Sequence, residues 1–135
     1  MSMLKDVFDI GTKLLTAAAS IDKRQKLEVA QHFQNLANVY MEFPPAHKIN
    51  DVVQVAFLLA KTRSLLQSIE GSALFEHVLG NTVSERFYKA AGKVLNEKEI
   101  LSRKPFTDAD YTAIANAAGF LEGYAESLRA QAGDS

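Results

Sequence analysis

The residues in this 135-residue chain best suited to chemistry are its three histidines, His32, His47 and His77. Histidine ligates metals and exchanges protons near neutrality, so each is a candidate ligand or acid–base group. Only Glu28 and His32, spaced i, i+4, would share a helix face as a metal pair does. Dimetal helical bundles need a Glu-x-x-His from each of two helices, and the sequence contains none. Nucleophilic catalysis finds no Gly-x-Ser-x-Gly elbow, and nucleotide binding finds no Gly-x-x-x-x-Gly-Lys or Gly-x-Gly-x-x-Gly loop. Helical ribonuclease toxins carry an Arg-x4–6-His element, and Arg24 to His32 is too wide a spacing. The chain has no cysteine, which removes thiolate nucleophiles, disulfides and zinc–sulfur sites. No catalytic, cofactor-binding or metal residue is therefore assigned, and the expected class is non-enzymatic.

The elements that would carry any site read as helices throughout. Apolar residues make up 47% and charged residues 23%, with seven glycines and three prolines, the profile of an ordered globular protein. No segment alternates apolar and polar residues as a half-buried strand would, so the expected fold is all-α: one domain over residues 1–132, an irregular bundle of about six helices, then a short tail. Residues 4–18 repeat apolar side chains at i, i+3, i+4 and i+7. Ser20 or Asp22 can cap a second helix, with Gln25 as capping-box partner to Asp22; it buries Val29, Phe33, Leu36, Ala37, Tyr40 and Phe43, and should stop at Pro44-Pro45. The third, from Asn50 or Asp51 to about Glu70, is apolar enough to lie centrally. Residues 72–79 read as a short helix. Thr82 and Glu85 form a capping box for the next. Thr107 and Asp110 box the last helix, residues 107–129, with Phe106 and Tyr111 at the staple positions. That helix is also expected to be central.

The longest nearly apolar run, residues 52–60, is far shorter than the roughly 20 residues that span a bilayer. The N-terminal residues lack a signal-like apolar stretch, and together with the absence of cysteine this leads to an expected cytoplasmic location.

The last helix carries the most informative spacing. Ala115, Gly119, Gly123 and Ser127 place four small side chains on one ridge. A glycine inside a helix costs roughly 1 kcal/mol relative to alanine, so the ridge is expected to admit close approach of another helix. Charge is distributed to match. The net charge is −1, but residues 82–106 are basic, with Arg86, Lys89 and Lys93 on one stripe, whereas residues 107–135 are acidic, with Glu122 and Glu126 near the ridge. The expected interface thus comprises Arg86, Lys89, Lys93, Gly119, Phe120, Glu122, Gly123, Tyr124 and Glu126. The expected partner is a protein, a second copy of this chain, with the basic segment of one copy meeting the acidic segment of the other.

Two resemblances bear on function. The stretch from Asp110 to Tyr124, with Ile114-Ala115 followed by Ala118-Gly119-Phe120, resembles the helix-turn-helix of bacterial repressors. That resemblance implies DNA binding, but a recognition helix from Leu121 would present Glu122 and Glu126 to phosphates, the wrong sign of charge. Phe8-Asp9-Ile10-Gly11, Leu14-Leu15, Arg24, Ala30, Phe33 and Ala37 resemble the opening helical pair of small adaptor domains on bacterial conflict and signalling effectors. This resemblance implies a non-enzymatic interaction module. A bundle holding an apolar ligand between helices is a further alternative.

Overall fold

In the computed structural model, residues 21–70, 81–95 and 106–133 are described, together with Asp9, Thr12, Lys13, Thr16 and His77. These residues form four helices and no strand: α1 (Lys23–Lys48), α2 (Val52–Glu70), α3 (Asn81–Val94) and α4 (Asp108–Gly133). The all-α expectation holds, with four helices among the described residues where about six are expected of the whole chain. The expected helices over residues 4–18 and 72–79 lie outside the described residues, save that Asp9, Thr12, Lys13, Thr16 and His77 are each helical.

Local sequence sets the start of α1. Gln25 N donates to Asp22 Oδ1 at 2.8 Å and Asp22 N donates to Gln25 Oε1 at 3.3 Å, so the capping box satisfies two backbone donors that the helix cannot. The stripe Val29, Phe33, Leu36, Ala37, Tyr40 and Phe43 is buried as its spacing predicts.

The end of α1 overturns the reading of Pro44-Pro45 as a stop. Both prolines lie inside the helix, which continues to Lys48. Neither has an N–H to donate, and a proline in a helix interior costs about 3 kcal/mol relative to alanine. Packing beyond the prolines offsets that cost. Ala46 is buried, and the His47 ring stacks on Phe43 with centroids 5.1 Å apart. The helix then closes with Asn50 at φ 56, Asn50 N bonded to His47 O at 3.2 Å and Asp51 N to Ala46 O at 3.0 Å, the paired bonds of a Schellman motif. Pro45 is exposed, so alanine in its place gives up little buried surface. Pro45→Ala is therefore expected to raise stability by about 2 kcal/mol, the helix penalty less the entropy that proline removes from the unfolded chain. A urea midpoint that does not rise would contradict this.

Asp51 also begins α2, its Oδ1 accepting from Gln54 N at 3.1 Å. A link of residues 49–51 thus joins two helices that pack together. Thr107 and Asp110 close the box at the start of α4: Thr107 N donates to Asp110 Oδ2 at 2.8 Å and Asp110 N to Thr107 Oγ1 at 3.3 Å. The expected staple is present, with the Phe106 and Tyr111 rings 5.5 Å apart.

The most extensive contact joins α1 and α4, with α2 packed on α1 and α3 packed mainly on α2. The core lies between α1 and α4. There Phe33 meets Tyr124 at 6.1 Å between rings, beside Leu36, Ala117, Ala118, Leu121 and Leu128. Tyr40 Oη donates to the Ala91 carbonyl at 2.9 Å and ties α1 to α3. The expectation that residues 107–129 are central holds. For α2 it does not: Leu58, Leu59, Thr62, Leu66 and Ile69 are buried, but Val52, Val53 and Phe57 face outward. A helix apolar on two faces has one more face than a single neighbour covers, and sequence alone does not say which turns inward.

Candidate functional site

Among the expected interface residues, the basic ones lie on α3. Lys89 and Lys93 are exposed, and Lys89 Nζ is 3.0 Å from Glu85 Oε1 one turn away. Part of that positive charge is therefore answered within its own helix. Arg86 lies on α3, and its side chain is outside the described residues.

The remaining candidates lie on α4, on two different faces. Gly119, Glu122, Gly123 and Glu126 are exposed together with Ala115 and Ser127. A Cβ added at Gly119 or Gly123 would meet nothing within 4 Å, so no helix among the described residues approaches the ridge. The expected close approach is not made among the described residues. Phe120 is half-buried against the core, and Tyr124 is only 7% exposed. Tyr124 thus belongs to the core and not to an outward stripe. Burial raises its phenol above the usual tyrosine range, opposed by a hydrogen bond to Thr12. The reason is angular: Tyr124 lies close to Leu121, Ala125 and Leu128 on the helix, the residues that face α1.

The helix-turn-helix resemblance also fails on geometry. Residues 110–124 lie within the continuous α4, with no turn at Gly119. The Ala-Gly-Phe sequence that would bend a repressor here is an ordinary helical stretch whose glycine faces outward.

The surface that stands out was read in sequence as interior. Ile49 is 75% exposed, Val52 76%, Val53 81% and Phe57 54%. Ala56 and Ala60 are exposed beside them. Positions 53, 56, 57 and 60 share one helix face, so these side chains form a continuous apolar strip along the first half of α2. Lys61 Nζ sits 5.7 Å from the Phe57 ring centroid and marks one edge of the strip. The sequence did carry a signal: residues 52–60 are apolar except Gln54, more than one buried face requires.

A second cluster lies where α1 ends and α4 begins. His47 Nδ1 is 2.6 Å from Tyr111 Oη, and its ring lies 4.3 Å from Phe106 and 5.7 Å from Tyr111 between centroids. Lys48 Nζ sits 5.0 Å from the Tyr111 ring centroid. Burial lowers the His47 pKa below its ordinary 6.5. A neutral ring can accept from the Tyr111 hydroxyl, and protonation removes that acceptor. Because the unfolded chain takes up the proton first, the stabilisation is complete above about pH 6.5 and is lost progressively as pH falls below it. His47→Gln is expected to flatten the fall in unfolding midpoint between neutral and mildly acidic pH. Unchanged steepness would contradict this. His32, also shifted downward by burial, with Glu28 opposing, contributes in the same direction.

Among the described residues no group of three histidine, aspartate or glutamate side chains could hold a metal ion, and no helix is long and apolar enough to cross a membrane. Compared with protein-family models, with curated proteins and with solved structures, the chain matches none.

Proposed function

We propose that this protein is an interaction module that acts by docking to protein, including a second copy of itself. The observation that carries the proposal is the exposed apolar strip Ile49, Val52, Val53, Ala56, Phe57 and Ala60. Contiguous exposed apolar surface edged by polar residues is the usual mark of a binding face. Burying a valine or phenylalanine side chain fully is worth about 1.5–3 kcal/mol, so three such residues supply the gain that association requires. The ridge on α4 and the opposite charges of α3 and α4 supplement this surface. They favour encounter and register more than affinity. An adaptor role of the kind implied by the resemblance of residues 8–37, in a bacterial cytoplasm, is consistent with a cysteine-free chain.

Light scattering over a range of protein concentration, at low and high salt, tests the reading. The expected result is a mass that rises with concentration and resists salt, because the apolar strip carries the energy. A mass that falls toward the monomer in high salt would move the seam to the charged faces of α3 and α4. A monomer under all conditions would remove self-association from the proposal.

A further inference from the structure

The outer face of α2 has the symmetry of a seam between two identical helices. We propose that its occupant is the α2 of a second copy, laid antiparallel across a two-fold axis near Ala56, an inference that rests on self-association as proposed above. Three observations carry it. The strip is apolar along its whole length, so a copy of itself covers it without burying a polar group, whereas the other exposed ridge, on α4, is flanked by Thr112, Asn116, Glu122 and Glu126. Small Ala56 and Ala60 alternate with larger Val53 and Phe57 along the face, so an antiparallel copy sets each large side chain over a small one. Finally, the strip ends in opposite charges. Exposed Asp51, set between Ile49 and Val52 with its Oδ1 accepting from Gln54 N, lies near one end, and exposed Lys61 lies ten residues on, about 15 Å along the helix and symmetric about Ala56 in sequence. A parallel pair would bring like charges together; the antiparallel pair brings Lys61 of each copy to the Asp51 end of the other. The contact is isologous and closed, so it makes a dimer and no filament.

The absence of cysteine makes the test direct, because any introduced thiol is unique. Ala56→Cys and, separately, Ser127→Cys on the α4 ridge are exposed positions for a short bismaleimide, with cross-linked dimer read on a denaturing gel. The proposal expects Ala56→Cys to link to itself and Ser127→Cys not to. It also expects V53E/F57E to abolish the dimer while leaving the helical circular dichroism unchanged, and K61E to weaken it a few-fold by placing two acids together. Efficient linking of Ser127→Cys with none at Ala56→Cys would overturn the α2 seam and leave self-association standing. A wild-type chain that scatters as a monomer would overturn both.

Discussion

Tyr40→Ala is expected to lower the unfolding free energy by about 3–5 kcal/mol, a large part of what a domain of this size possesses. Tyr40 is fully buried on the inner face of α1 and bonds the Ala91 carbonyl across to α3. Removing the ring leaves a cavity between elements that cannot collapse without moving the α3 backbone. Tyr40→Phe separates the two contributions. It keeps the ring and removes only the hydroxyl, at an expected cost of about 0.5–1.5 kcal/mol. Burial also holds the Tyr40 phenol proton well above the usual tyrosine range. The unfolded chain therefore loses its proton first on going alkaline, and stability should fall as pH rises beyond about 10. Tyr40→Phe should lessen that fall. Urea unfolding followed by circular dichroism checks all three statements, and an alanine variant as stable as the parent would contradict the placement of Tyr40.

The second large effect is a contrast between two aromatic residues. Tyr124→Ser is expected to cost about 3–4 kcal/mol, because Tyr124 packs against Phe33 between α1 and α4. Phe57→Ser should change monomer stability by less than about 1 kcal/mol, because Phe57 is 54% exposed. Phe57→Ser should instead act on association. If Tyr124→Ser melted no earlier than Phe57→Ser, the division between core and interaction surface drawn here would be wrong.

This contrast shows where sequence reasoning succeeds and where it stops. The boxes at Asp22 and Gln25 and at Thr107 and Asp110 were legible because donors and acceptors three residues apart meet whatever the rest of the chain does. The buried stripe of α1 was legible because it is apolar on only one side. Pro44-Pro45 misled because, besides the local stack on Phe43, the contacts that hold His47 in the helix come from Phe106 and Tyr111, some sixty residues away. The candidate surface was legible only in part. The small residues of the α4 ridge share one exposed face, as their spacing predicts, yet Tyr124 was assigned to the wrong side of a helix whose apolar arc is wide. The outer face of α2 was missed for the same reason. A run apolar in every direction does not record which direction is inward, and only the position of α2 at the side of the α1–α4 pair decides it.

The measurement that bears most directly on docking through α2 is solution mass against concentration for the wild-type chain beside Val53→Ser/Phe57→Ser. The wild-type mass should climb from monomer toward dimer as concentration rises, at low and high salt alike, while the variant remains monomeric with unchanged helical content. Identical mass curves for the two proteins would contradict the assignment of the outer face of α2 as the docking surface.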